Sequence, residues 1–353
     1  MTAKIPVSIL GATGTVGQKF VRLLADHPWF EIAAVAASSA SAGKRYGDIV
    51  RWRETMELPE RIAGLTVQEC APPLSGPIVF SALDAEVAGP IEQSFACAGA
   101  HVVTNARTHR MDADVPLLVP EVNADHLRLV DRQRATRGWS GAILTNPNCS
   151  TAALVMALAP LHRSFTVEKL FVSTMQAVSG AGYPGVPSLD IVGNVVPFIG
   201  GEEEKIDRES RKILGTLGES GVTPADFGVS AHTNRVAVID GHLETISVGF
   251  ARRVTVEDAL AALANFRASP CVAELPSTPM PPIEVDPRAD RPQPRLDLKR
   301  GRGMAVIVGR VRSCPVLDLR MVVLGHNTIR GAAGQAVQIA ELLVADGRVD
   351  RPR

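Results

Sequence analysis

The sequence predicts an α/β fold: a doubly wound parallel sheet first, then a mixed sheet covered on one face. Three observations carry this. Residues 6–10 are an apolar strand, followed at once by Gly11-Ala-Thr-Gly14-Thr-Val-Gly17, an amphipathic pattern through Phe20, Val21, Leu23 and Leu24, and a second apolar strand at 30–37. A strand, glycine turn, helix and strand within about thirty residues is the signature of a parallel βαβ unit. A β-branched and apolar run at 142–145 ends in the turn Asn146-Pro147-Asn148 and opens a long apolar helical pattern. Strands expected at 301–311 and 317–324 alternate in polarity, as neighbours in a one-sided mixed or antiparallel sheet do.

Composition narrows the class. The 353 residues are 46% hydrophobic, which is enough for two cored domains. Thirty-seven basic residues balance 37 acidic ones, so charge does not point to nucleic acid or an anionic membrane as partner. No apolar run is long enough to span a bilayer, and the Met1-Thr-Ala-Lys4 start lacks a signal-peptide core, so a cytoplasmic location is expected. The cysteines at 70, 97, 149, 271 and 314 form no Cys-x-x-Cys pair, which argues against a disulfide framework or a zinc ribbon. The eight histidines contain no His-x-x-x-His pair, and no metal site is expected. Residues 275–295, rich in Pro with scattered Asp and Arg, read as an irregular surface loop or arm.

The first βαβ unit is a nucleotide site in outline. Glycines 11, 14 and 17 let the backbone approach a pyrophosphate, and the helix N-terminus stabilises its charge. A site for NAD places an Asp or Glu at the end of the second strand. Here that position reads Ala36-Ala-Ser38-Ser39-Ala-Ser41-Ala-Gly-Lys44-Arg45. Hydroxyls and two cations without a carboxylate suit a 2′-phosphate, so NADP is expected. Residues 45–73 say little. The strand at 77–80 ends in Ser81-Ala-Leu-Asp-Ala, small residues consistent with a loop passing over the cofactor. The strand at 101–104 leads into Asn105, Arg107 and Arg110, and the planar fork of Arg110 suits an anion.

Cys149 sits at the corner between the 142–145 strand and the helix, with Ser150 or Thr151 expected as its cap. Free backbone N–H groups and the positive helix end are expected to lower the thiol pKa and to hold an oxyanion. The plainer reading is a buried structural cysteine. Beyond it, a strand at 167–174 reaches Gln176 and a loop with Ser179 and Gly180. A helix from Gly201 to about Leu217 opens with Glu202 and Lys205, three apart on one face. They could hold an ammonium and an anion, or simply favour the helix dipole. Arg235 is expected to begin a strand that Asp240-Gly241 breaks before His242. On one straight strand the two side chains would point to opposite faces, so they share a site only if the Asp-Gly turn redirects His242. His232 is the rival histidine. Asn327 precedes a final helix at 335–345, as a helix cap or as a contact to a ligand amide.

In chain order, Gly11 to Gly17, Arg110, Asn146-Pro-Asn-Cys149-Ser-Thr151, Gln176, Glu202 with Lys205, Arg235, His242 and Asn327-Thr-Ile-Arg-Gly-Ala-Ala-Gly334 resemble the motifs of the aspartate-β-semialdehyde dehydrogenases, in particular their archaeal and fungal-like branch. The resemblance covers nearly the whole chain. It implies a Rossmann-type dinucleotide-binding domain (1–149 and 328–353) and an α+β catalytic and dimerisation domain with a mixed sheet (150–327). It implies NADP, contacted by Gly11, Thr13, Gly14, Thr15, Val16, Gly17, Ser38, Ser39, Ser41, Ser81, Asn105, Ser179, Gly180 and Asn327. It implies Cys149 as nucleophile, Gln176 positioning the thioacyl group, and His242 as acid and base. Arg110 and Lys205 would take the substrate phosphate, Glu202 the α-amino group and Arg235 the α-carboxylate. The implied reaction is NADPH-dependent reductive dephosphorylation of L-aspartyl-4-phosphate to L-aspartate-4-semialdehyde through a cysteine thioester, in lysine, methionine and threonine biosynthesis. A homodimer or homotetramer is implied as well. Arg107, Arg302 and Gly325 depart from the pattern, which has small residues, Asn and Ser there. A malonyl-CoA reductase or related acyl-thioester reductase on the same scaffold is the alternative. A non-catalytic NADP-binding sensor is another, and it predicts a slowly alkylated Cys149.

Overall fold

In the computed structural model, which describes residues 3–351, the first half of the chain builds a parallel sheet. Its strands are Ile5–Leu10 (β1), Phe30–Ala37 (β2), Gln68–Glu69 (β3), Ile78–Ser81 (β4), His101–Thr104 (β5) and Ala142–Thr145 (β6). The order is β3-β2-β1-β4-β5-β6, all parallel. β4, β5 and β6 are buried throughout, which is why they read as apolar runs without alternation. The order reverses between β1 and β4, so a crevice opens at their carboxyl ends, where the glycine turn begins. Gly11 there has φ +69, and a Cβ would lie 2.6 Å from the Ala82 carbonyl oxygen, so only glycine fits.

The second half builds a mixed sheet. Val167–Gln176 (β7) follows the helix Cys149–Phe165, and a small hairpin is formed by Thr216–Gly218 (β8) and Gly221–Thr223 (β9). Gly228–Arg235 (β10), His242–Phe250 (β11), Ile283–Asp286 (β12), Val306–Ser313 (β13) and Leu319–Gly325 (β14) complete it in the order β10-β7-β11-β14-β13-β12. The helix Cys149–Phe165 buries residues 150–161 in the core of this sheet, whose other face leaves Phe171 and Thr245 exposed. The last helix, Gly334–Ala345, returns to the first sheet, where Ala336, Val337, Ile339 and Leu343 join one core with Ile5, Phe20 and Phe30. The two positions at each end of the expected nucleotide domain, including Met1-Thr2 of the start segment, lie outside the described residues.

Three expectations change. Arg235 ends β10 rather than beginning a strand, and the β-branched run after it is a loop. The helix opened by Glu202 stops at Ile213, because the chain turns into the β8–β9 hairpin at Gly215, where a Cβ would meet the Thr223 carbonyl oxygen at 2.4 Å. The Pro-rich segment is not simply an irregular loop. It supplies edge strand β12, paired parallel to β13, and buries Asp286, as Asp297 just beyond it is also buried. Arg288, Arg291 and Arg300 satisfy these carboxylates, with Arg300 2.6 Å from each.

Candidate active site

The corner after β6 is built by Asn148. Its side-chain oxygen accepts from the backbone N–H of Ser150 (3.0 Å) and Thr151 (3.4 Å), so Asn148 is the cap and Cys149 the first helical residue. This corrects the expected cap, since Asn148 rather than Ser150 or Thr151 closes the helix start and shares its first-turn N–H groups. It also corrects the expected thiolate. Burial, then the nearby Glu202 carboxylate, pushes the Cys149 thiol up to about 12 against the pull of Arg110 and Arg235. The Ser150 N–H also pulls the thiol pKa down, but together with the two arginines it does not offset the desolvation.

Cys149 Sγ lies 3.1 Å from His242 Nε2. His242 gets there by topology. β10 runs parallel to β7, with Arg235 opposite Gln176, and β11 runs antiparallel on the other side, with Leu243 opposite Met175. Arg235, Gln176 and His242 therefore meet at one end of the sheet. The redirection required at Asp240-Gly241 is made by a loop joining two strands that flank β7, with Gly241 at φ +99. A Cβ on Gly180 would sit 2.9 Å from Arg235 Nη1 and 3.2 Å from His242 Cε1, so glycine lets both groups close on this loop. The rival His232 is exposed, beside the Phe171 ring, and does not join the site.

The imidazole has a defined tautomer. The Ala177 N–H donates to His242 Nδ1 at 3.0 Å, so Nδ1 is an acceptor and the proton sits on Nε2, facing the sulfur. Burial, then Arg235 and His326, hold its pKa down to about 3. At rest the pair is a neutral imidazole and a neutral thiol.

The helix Glu202–Ile213 supplies the charged wall. Glu202 is buried, and its Oε1 accepts from Lys205 Nζ at 2.7 Å. Its Oε2 accepts from Asn148 Nδ2 (2.8 Å) and Gln176 Nε2 (3.3 Å). Burial opposes its ionisation, but these donors hold it below the usual carboxylate range. It does more than favour a dipole. Glu209, not anticipated from the sequence, accepts from Arg110 Nη1 at 2.9 Å and from the Asn148 N–H at 2.6 Å. Lys212, also not anticipated, donates to the carbonyls of Arg110, Asp112 and Val115. The spacing Glu202, Lys205, Glu209, Lys212 is one helical face, and that signal was present in the sequence.

A cavity of about 610 Å³ joins Cys149 to Asn105, Arg107, Arg110, Asn148, Ser179, Gly180, Lys205 and Asn327. A second, of about 780 Å³, is lined by Gly11, Thr13, Gly14, Thr15, Val16, Ser38 and Ser39. Thr15 and Val16 border both, so a dinucleotide laid along the glycine turn would reach the thiol. The buried Oδ1 of Asn105 has no partner, an acceptor suited to a carboxamide. These features fit NADP. Asn327 is not a cap: its Oδ1 accepts from the Gly241 N–H and its Nδ2 donates to Ser179 Oγ, both at 2.8 Å.

Some expected contacts fail. Ser81 is fully buried and donates to Glu92, because β4 points its side chain under the sheet. Ser41 lies back in a turn closed on Ser38 and lines neither cavity. Gly17 packs under the turn, its Cβ position 2.2 Å from the Gly11 oxygen. Lys44 donates to the Ala40 carbonyl and Arg45 pairs with Asp48 and Glu60, so neither cation lines the cofactor cavity; Arg51 and Arg53 do. Gly325 is explained by packing, since a Cβ would lie 2.5 Å from Ala153 Cβ. Arg302 donates to the Pro276 carbonyl, away from Cys149.

Behind His242 on β11, Glu244 is fully buried and neither carboxyl oxygen has a partner. Burial raises its pKa well above the usual range. A carboxyl with a raised folded pKa costs no stability below its unfolded pKa of about 4.3, and costs progressively more as pH rises from there toward the folded value. The melting temperature of Glu244→Gln relative to the parent is therefore expected to become more favourable between pH 4.5 and 8. A flat difference in thermal melts across that range would contradict the buried neutral acid.

Two family models match the chain, the semialdehyde dehydrogenase NAD-binding domain over residues 6–130 and the semialdehyde dehydrogenase dimerisation domain over residues 158–330. The aspartate-semialdehyde dehydrogenase of Methanothermobacter thermautotrophicus is 48% identical, covering 96% of this chain and 99% of that protein. The crystal structure of the aspartate-semialdehyde dehydrogenase of Candida albicans with NADP superposes with a TM-score of 0.90 at 45% identity, covering 98% of this chain and 100% of that one. A malonyl-CoA reductase (NADP) of Metallosphaera sedula is 39% identical, covering 99% of this chain and 100% of that protein.

Proposed function

The chain belongs to the aspartate-semialdehyde dehydrogenase family, and from that membership we propose that it reduces L-aspartyl-4-phosphate to L-aspartate-4-semialdehyde with NADPH, releasing phosphate. The observation that carries the reading is the Cys149–His242 contact of 3.1 Å at the floor of a cavity walled by Arg110, Lys205 and Asn105. The product feeds lysine, methionine and threonine synthesis.

Glu202 takes the substrate ammonium. That displaces Lys205 from its 2.7 Å pair and frees it, with Arg110, for the phosphate. Arg235 takes the α-carboxylate and Gln176 orients the thioacyl group. Cys149 Sγ attacks the acyl carbon and the carbon–oxygen bond to phosphate breaks. The thiol proton leaves on the phosphate, because His242 Nε2 already carries the ring's one proton and Nδ1, facing the Ala177 N–H, cannot take another. When bound, NADPH supplies the hydride. His242 Nε2–H hydrogen-bonds the oxyanion formed on the acyl carbon; as the carbon–sulfur bond breaks and the aldehyde forms, the departing sulfur takes one proton from solvent, which restores the thiol. The buried Glu202 favours an aminated substrate over malonyl-CoA, which offers no ammonium to replace Lys205.

We assign residues 1–149 and 328–353 to the nucleotide domain and 150–327 to the catalytic domain, a division supported by the two six-stranded sheets, one built before Cys149 and one after it, and by the return of the last helix to the first. Self-association goes through the dimerisation domain. A homodimer or homotetramer is supported by the open sheet face at Phe171 and by Leu189, Val192 and Phe198, all exposed. No helix among the described residues is long and apolar enough to cross a membrane.

The test is to mix the protein with NADP, phosphate and aspartate-4-semialdehyde and follow absorbance of the reduced nicotinamide. Phosphate-dependent reduction is expected. A flat trace from folded, NADP-binding protein would overturn the substrate assignment, and malonyl-CoA with NADPH would be assayed next.

A further inference from the structure

We propose that Arg51, Arg53 and Tyr183 form a clasp across the two domains that holds the phosphates of NADP, Arg51 on the 2′-phosphate and Arg53 on the pyrophosphate. The proposal rests on the cofactor assignment above. Both arginines lie on a segment pinned to the glycine turn by one side chain. Gln18 Nε2 donates to the carbonyls of Thr13 (2.9 Å) and Arg51 (3.2 Å), and its Oε1 accepts from the Arg53 N–H (2.8 Å). The segment therefore cannot drift from the phosphate-binding turn.

Neither guanidinium pairs with a carboxylate among the described residues, whereas the neighbouring Lys19 and Arg22 share Glu54. What the two arginines have instead is an aromatic ring from the other domain. Arg51 Nη1 donates to the Tyr183 hydroxyl at 3.0 Å, and Arg53 Cζ stacks 3.4 Å from the Tyr183 ring centroid. Cation–π stacking keeps a guanidinium oriented while its N–H groups stay free for an anion. Position divides the two. Arg51 lines only the outer cavity, with Ser38 and Ser39 at the end of β2. Arg53 lines both cavities, over Thr15 and Val16, where the helix start would hold a pyrophosphate.

Tyr183 gives the clasp its reach. It follows Ser179 and Gly180, the loop that touches Asn327, Arg235 and His242. Closing Arg53 on a phosphate and Tyr183 together fixes this loop against the catalytic groups, so cofactor occupancy is felt at Cys149.

Binding of NADP and of NAD to the parent, Arg51→Ala and Arg53→Ala would be measured by calorimetry without substrate, with circular dichroism confirming the fold. Arg51→Ala is expected to weaken NADP by about tenfold or more while NAD stays within about twofold, because only NADP carries the 2′-phosphate. Arg53→Ala is expected to weaken both by a similar factor. In the parent, NADP should slow hydrogen exchange of residues 178–184, and Tyr183→Ala should lose that protection. Unchanged NADP affinity in both arginine variants would overturn the proposal. Equal weakening of NAD and NADP by Arg51→Ala, or no NADP-dependent protection of the loop, would also overturn it. Since binding is read without turnover, failure here is distinct from failure of the substrate assignment.

Discussion

Cys149→Ala is expected to lower turnover by at least roughly a thousandfold, as loss of a nucleophile that acts as a unit with its partner does. NADP affinity should stay within about twofold, since the cofactor cavity is walled by other residues. Mass spectrometry should find an acyl adduct on the parent treated with acyl phosphate in the absence of reductant, and none on the variant. A variant retaining a substantial rate would refute the nucleophile assignment. The protonation states sharpen the test. With the thiol pushed up to about 12 and the imidazole held down to about 3, free enzyme carries no thiolate–imidazolium pair at neutral pH. Alkylation of Cys149 by iodoacetamide should be slow at pH 7 and rise only through the alkaline range; a non-catalytic sensor would alkylate slowly too, so the acyl adduct is what separates the two. An inflection between pH 5 and 7 would show that the ion pair forms after all.

The largest stability effect is expected where the chain's end is fastened. Arg330 and Glu121 are both fully buried, 2.6 Å apart and 209 residues apart in sequence. Every arginine nitrogen is used: Nε donates to the Met304 carbonyl, and the others reach Glu121, Gln335 and Gln338. Burial alone would raise the Glu121 pKa, but Arg330 and Gln338 hold it low. Glu121→Ala leaves an uncompensated buried guanidinium and should cost about 3–5 kcal/mol in urea unfolding. The double replacement Glu121→Leu with Arg330→Met should recover much of that loss, because the pair's desolvation cost disappears with it. A single variant within about 1 kcal/mol of the parent would show that the pair is not what docks the C-terminal segment. A carboxyl held low contributes stability above its unfolded pKa and loses it as pH falls through the folded one, so the parent's advantage over Glu121→Ala should shrink in acid.

The chain's local order was legible without coordinates. Apolar runs bounded by Gly, Pro and Asn located β1, β2, β5 and β6 to within a residue, because buried parallel strands carry that pattern in their own composition. The glycine turn, Cys149, Gln176, Glu202 with Lys205, Arg235 and His242 could be named because their residue types and order carry the chemistry. The tertiary structure decided everything that depends on what lies beside a group. It made Arg235 and His242 neighbours by placing their strands on either side of β7. It kept the Cys149 thiol protonated by burying it near Glu202, which outweighs the Ser150 N–H and the two nearby arginines. It fixed the His242 tautomer through one backbone N–H, tied Arg45 to surface carboxylates and left Arg51 and Arg53 free. Strand periodicity is written in consecutive residues, whereas protonation and ion pairing follow from desolvation and from partners that lie roughly ten to two hundred residues away in the chain.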